Sequence, residues 1–190
     1  MTQTPDRFRT TATPLAGVLV LERQPLRDER GFLERMFCAE TFSRWGLAGP
    51  VAQINHTLTL PTGAVRGLHF QTPPHAETKI VSCLAGRIFD VAVDIRRDSP
   101  TFLKWHGEIL SADNHRSLLI PPGFAHGFQA LTDDCRLLYL HTAPHVPEAE
   151  AGLHAEDPAV GVAWPLPVVG LSPRDRAWPA AAGSFTGIAP

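Results

Sequence analysis

The sequence has little that would tie it to a disulfide scaffold, a membrane or a nucleic acid. Its 190 residues include only 3 cysteines, Cys38, Cys83 and Cys135. An odd number, far apart and with no Cys-x-x-Cys pair, argues against a disulfide framework or a zinc site. These residues read instead as reduced, mostly buried small hydrophobes. The longest apolar stretch near the start, residues 15–21, falls well short of the ~20 residues of a membrane span. Charge of one sign is missing too. Lys and Arg number 17 against 19 Asp and Glu, a formal net charge of −2, too balanced for an electrostatic binder of nucleic acid. The first fourteen residues are polar, carry Arg7 and Arg9 and contain no apolar core. No signal peptide is expected, and the cytoplasm is the expected compartment. Tyrosine is almost absent, Tyr139 being the only one.

Hydrophobic residues make up 44% of the chain, enough for a core and too many for a disordered segment. The length fits the roughly 100–200 residues of one domain, so residues 1–190 are expected to form a single domain. Proline is enriched, 18 residues or about 9% against a usual ~5%, which points to many short elements.

The pattern is that of strands. Residues 86–95 alternate, with Phe89, Val91, Val93 and Ile95 on one face and Asp90 and Asp94 on the other. Residues 51–60 place Gln53 and Asn55 on one face, and residues 78–84, 102–110, 117–120 and 136–142 are further strands. Turn signals separate them at Pro61-Thr62-Gly63, Pro73-Pro74, Asp98-Ser99-Pro100, Pro121-Pro122-Gly123 and Asp133-Asp134. One helix is expected over residues 39–45, stopped by Gly46, and residues 180–183 read as a loose tail. Closely spaced strands without intervening helices imply an all-β sandwich, jelly roll or barrel.

Several residues could carry chemistry. Arg66-Gly67-Leu68-His69-Phe70-Gln71 sets a histidine in an apolar strand. A regular strand sends Arg66 and His69 to opposite faces, but a bulge at Gly67 would turn both inward. Alone, His69 also fits a core histidine with satisfied ring nitrogens. Ile120 to Phe128 delivers His126 into a strand after a Pro-Gly turn, a layout similar to one that recurs in cupins, often at a metal ligand. Without a His-x-His pair and a following glutamate, His69 and His126 are too few for a metal centre, and none is expected. Tyr139 has a hydroxyl able to act as a general acid, or one merely capped in the core. Lys79 lies in an apolar strand, where a buried ammonium must be paired or functional unless it snorkels from an edge. Arg30 and Asp175 by themselves read as a solvated turn residue and a surface-loop residue.

In their order along the chain these stretches resemble the dTDP-4-dehydrorhamnose 3,5-epimerase family. The likeness rests on Asp28-Glu29-Arg30-Gly31-Phe32, Gln53-Ile54-Asn55-His56, residues 66–71, 90–96, 99–102 and 122–128, Asp157-Pro158 with Trp164-Pro165, and Leu171-Ser172-Pro173-Arg174-Asp175. It spans roughly residues 17–179. The resemblance implies a double-stranded β-helix, the cupin-type jelly roll, with short peripheral helices. It also implies a homodimer, no metal, no cofactor, and dTDP-4-dehydro-6-deoxy-glucose as substrate, with neither nucleic acid nor membrane as partner. It implies His69 as base, Asp175 as its orienting carboxylate, Lys79 at the C4 oxygen and Tyr139 as the acid on the opposite face. Arg30, Phe32, Glu34, Gln53, Asn55, Arg66, His126 and His145 are implied as substrate contacts, with Arg30 and Arg66 holding the pyrophosphate and Phe32 stacking on thymine.

The chain departs from the family pattern at a few places. His145 stands where many members have a second tyrosine, which leaves inversion at C3, at C5 or at both open. Glu77 replaces a common glutamine and Leu103 a common glycine, both of which read as minor. The loop at residues 60–63 is one residue longer than usual. A C3-only or C5-only monoepimerase and a non-catalytic nucleotide-sugar-binding cupin are the alternatives. A metal-dependent oxygenase of the same fold is disfavoured by the missing His-x-His.

Overall fold

A computed structural model describes residues 7–47, 50–181 and 185–189. The strands in chain order are β1 (Phe8–Ala12), β2 (Leu19–Arg23), β3 (Leu26–Asp28), β4 (Gly31–Leu33), β5 (Gln53–Thr59), β6 (Val65–Gln71) and β7 (Lys79–Ala85). They continue with β8 (Arg87–Asp94), β9 (Trp105–Ser111), β10 (Arg116–Ile120), β11 (Phe124–Ala130), β12 (Cys135–His141) and β13 (Glu150–Gly152). Two short helices, α1 (Ala39–Ser43) and α2 (Pro173–Ala177), lie at the periphery. Every strand segment expected from the pattern is present within a few residues, and the helix ends before Gly46. The expected strand at 102–110 begins later, at Trp105, because Ser99 to Lys104 form a hydrogen-bonded turn against Asp94.

The strands form two facing antiparallel sheets. One runs β1-β2-β10-β7-β12-β5 and the other β13-β6-β11-β8-β9, with β3 and β4 apart as a hairpin. This is the cupin-type jelly roll. Val81, Leu118, Leu137 and Tyr139 from the first sheet meet Ile88, Leu110, Phe124 and Phe128 from the second in the core between them. The outer faces are covered as well. Val91, Val93 and Ile95 pack under Leu153, Val160 and Ala181 from the C-terminal segment. Phe42 and Leu47, around α1, cover Leu21, Ile80, Leu119 and Leu140. Residues 180–181 therefore do not belong to a loose tail. Ala181 is buried and its N–H donates to the Asp157 carboxylate, while residues 182–183 fall outside the described residues. Strand β8 is covered on both faces, so its apolar set faces the C-terminal segment and its aspartates point between the sheets.

One end of the space between the sheets stays open. Strand β5 is the edge of its sheet. Gln53, Asn55, Thr57 and Thr59 face inward, whereas Ile54 and Leu58 face outward and are exposed.

Candidate active site

Glycine sets the geometry of β6. His69 pairs with His126 and Arg66 with Phe128, so two residues of β6 oppose one of β11 and the strand bulges at Gly67 and Leu68. Gly67 has φ +117, and a Cβ there would meet the Gly127 Cα at 2.5 Å and the His126 carbonyl oxygen at 2.7 Å. Only glycine fits both the backbone angle and that contact. The bulge does what the sequence suggested: Arg66, His69 and Gln71 all line one cavity of about 610 Å³.

His69 meets Asp175 there, with its Nε2 2.6 Å from the carboxylate Oδ1. Asp175 lies on α2, whose N-terminus is capped by Ser172 Oγ accepting from the Asp175 backbone N–H. The residue that reads as a surface aspartate in isolation is thus buried. Burial pushes its carboxyl up, but the His69 bond and charge, Ser172 and Arg174 outweigh that and hold it below the usual range. An ionised Asp175 accepts the Nε2 proton, leaving Nδ1 as the basic position of the ring.

Tyr139 lines the same cavity. Burial raises its phenol far above the ordinary value, and the nearby charge of Asp90 adds to the effect. It therefore holds its proton throughout the neutral range. Asp90 is fully buried on β8, with Oδ1 2.8 Å from His126 Nε2 and Oδ2 without a hydrogen-bond partner among the described residues. The His126 ring stands edge-on to Tyr139, centroids 6.0 Å apart.

Lys79 begins β7, directly across from His141 on β12. It is paired, and so does not snorkel: its Nζ lies 3.4 Å from Glu77 Oε1 and donates to the His69 carbonyl at 3.4 Å. The other Glu77 oxygen is 2.8 Å from His141 Nδ1. At the mouth, the Gln53 side chain accepts from the His145 backbone N–H, and Glu150 takes contacts from both Arg174 and His145.

His69, Tyr139, Lys79 and Asp175, together with Gln53, Asn55, Arg66, His126 and His145, thus line one cavity. The other three expected contacts do not. Arg30 sits in the exposed β3–β4 turn, paired with Asp28. Phe32 is 55% exposed on β4, beneath the Arg27 guanidinium. Glu34 is engaged by Arg23 and His115, away from the cavity. β3 and β4 pair only with each other, apart from the two large sheets, and none of these three residues lines the cavity in this structure. Sequence reasoning also passed over Glu77 as minor, named Arg174 only as part of the motif around Asp175, and gave His141 and Glu150 no role. The period-two rule would have found two of them, since Glu77 and His141 each lie two residues from a singled-out residue, Lys79 and Tyr139.

The arrangement offers a base with its orienting carboxylate, a phenol kept protonated and an ammonium, around a cavity wide enough for a sugar ring. Residues 12–182 match the family described as dTDP-4-dehydrorhamnose 3,5-epimerase. The chain is 40% identical over 174 residues to the dTDP-4-dehydrorhamnose 3,5-epimerase of Methanothermobacter thermautotrophicus, covering 90% of this chain and 93% of that protein. Its structure is similar to that of the dTDP-6-deoxy-D-glucose-3,5-epimerase from Legionella pneumophila in complex with dTDP-4-keto-L-rhamnose, at TM-score 0.87 and 39% identity over 91% of this chain and 92% of that one. It is also similar to a 3'-monoepimerase from Streptomyces bikiniensis in complex with dTDP-quinovose, at TM-score 0.82 and 34% identity over 90% and 88% of the two chains.

Proposed function

The chain belongs to the dTDP-4-dehydrorhamnose 3,5-epimerase family, and from that premise we propose that its cavity inverts ring carbons of dTDP-4-dehydro-6-deoxy-glucose next to the C4 ketone. The observation that carries the reading is the shared cavity of the His69–Asp175 pair and Tyr139. A C–H beside a ketone is acidic because the carbanion delocalises into an enolate. His69 Nδ1 takes that proton, and Asp175 fixes the ring tautomer and stabilises the imidazolium. Lys79 stabilises the charge developing on the C4 oxygen. Tyr139 then gives its proton to the other face of the same carbon, and the centre inverts. One imidazole does not reach both faces, so the phenol is what turns exchange into inversion.

Arg66, whose guanidinium already bridges Thr59 and the Leu58 carbonyl, and His126, Gln53, Asn55 and His145 are the proposed substrate contacts. Arg30, Phe32 and Glu34 would reach substrate only from a second copy of the chain, which favours a homodimer. The exposed apolar side chains of β5 and of the β3–β4 hairpin (Ile54, Leu58, Leu26, Phe32 and Leu33) support that assembly. We place the enzyme in the cytoplasm, with residues 1–190 as its single domain.

A second reading is a monoepimerase acting at C3 or C5 alone. It is favoured by His145 lining the cavity, a departure from the family pattern that the resemblance implies, and by the likeness to a monoepimerase structure. Incubating the ketosugar in deuterated water decides between them. Label at both C3 and C5 supports double inversion, label at one carbon supports the monoepimerase, and no label refutes catalysis. In Tyr139→Phe, label is expected to enter with retained configuration while inverted product falls by roughly 10²–10⁴-fold. Inverted product formed at the parent rate would remove Tyr139 from its role.

A further inference from the structure

The Glu77 carboxylate is a liability beside an ammonium that must serve an enolate. It is nearly buried, at 7% side-chain exposure, as is Lys79 at 12%. Burial raises the Glu77 carboxyl, yet the His141 bond and the charges of Lys79 and His141 outweigh this and keep it below the usual range, so it is an anion. A tight ion pair between the two would spend the ammonium's charge within the wall. The structure shows a loose one instead. Lys79 Nζ stands 3.4 Å from Oε1, beyond the usual 2.7–2.9 Å of a charge-assisted bond, whereas Oε2 lies 2.8 Å from His141 Nδ1. His141 is held in turn. It faces Lys79 and Gln53 across its strand, its ring lies nearly parallel to Tyr139, at 18°, and its Nε2 is 3.4 Å from Asn55 Nδ2.

We propose that His141 is a positioning residue for Lys79. By anchoring Glu77 through Nδ1–H, it holds the carboxylate off the ammonium and leaves the Lys79 donors for the oxygen of the developing enolate. The proposal rests on the reading of Lys79 given above. It also gives Glu77 a purpose: the carboxylate keeps the buried ammonium compensated without clamping it.

The test is a small cycle of variants assayed with dTDP-4-keto-6-deoxy-glucose for kcat, KM and deuterium incorporation. His141→Leu removes the anchor, and Glu77 is then free to close on Lys79. Its kcat is expected to fall roughly tenfold or more, with KM changed far less, since the lost interaction belongs to the transition state. Glu77→Gln combined with His141→Leu removes the quenching charge, and its kcat is expected to return to within about threefold of Glu77→Gln alone. His141→Asn, which keeps a donor near the Nδ1 position, is expected to rescue most of the activity. Should His141→Leu fail to fold, His141→Val carries the same comparison. Additive losses in the double variant, or full activity in His141→Leu, would overturn the proposal while leaving the epimerase reading intact. An unmodified enzyme that incorporates no deuterium overturns both.

Discussion

Replacing Asp175 by Asn tests whether the imidazole is driven by a charge or merely packed. The Asn side chain nearly matches the carboxylate in size, its backbone N–H still donates to Ser172 Oγ, and its oxygen can still accept from His69 Nε2 at the present 2.6 Å separation. What disappears is the negative charge facing the imidazolium once the proton has moved. The site is sheltered, with Asp175 4% and His69 20% exposed at the side chain, so solvent screens that charge little. A hydrogen bond to a charged partner contributes about 1.5–3 kcal/mol, which at about 1.36 kcal/mol per decade is roughly a 10- to 150-fold loss of kcat. If the Asn turns its amide nitrogen to Nε2 instead, the ring must carry its proton on Nδ1, and the loss grows further. The assay is deuterium incorporation into the ketosugar at saturating substrate, with a melting curve to show that the fold is kept. A variant of unchanged melting temperature that exchanges within threefold of the parent would refute the assignment of Asp175 as the orienting carboxylate.

Two other perturbations bear on the frame around the site. Gly67→Ala is expected to cost about 2–5 kcal/mol, from the positive φ and the overlap with Gly127, and to abolish exchange by moving His69. A melting temperature within 2 °C of the parent would contradict it. Asp94 is fully buried and takes bonds from Arg96, Ser99 and Thr101, which together outweigh its burial and hold its carboxyl at about 2 instead of 3.8. Because its pKa is lower in the folded state than in the unfolded chain, the stability it gives is complete above about pH 4 and fades as pH falls toward 2. Asp94→Asn is accordingly expected to cost about 2 kcal/mol at neutral pH and progressively less below pH 4, as read from denaturant midpoints. A constant deficit across that range would show that packing, not ionisation, is what Asp94 contributes.

The strands from β5 to β12 were legible because each carries its own period and its own punctuation, whereas β1 to β4 and the three-residue β13 were not among those expected. Thus Gln53 and Asn55 share the inward face of β5, as alternation requires, and Gly67 announces the bulge that brings Arg66 and His69 to one side. The burial of Asp175 was not legible from local pattern. It follows from a cap and a short helix docking against β6, a contact across more than a hundred residues. Glu77 and His141 were overlooked for a different reason: each looks like an ordinary polar residue until the sheet sets His141 across from Lys79 and the Glu77 carboxylate between the two. Arg30, Phe32 and Glu34 illustrate the opposite limit, where a family pattern names residues that do not line the cavity of the single chain.

The Gly67–Gly127 contact has a bearing on how this enzyme can change. Where two backbones touch with no side chain between them, the spacing of His69 and His126 is fixed by the absence of atoms, and repacking cannot tune it. An evolved or designed shift in which sugar is accepted is therefore expected through side chains that leave this contact alone, such as those that β5 and β12 present on the opposite wall and that can be exchanged one at a time.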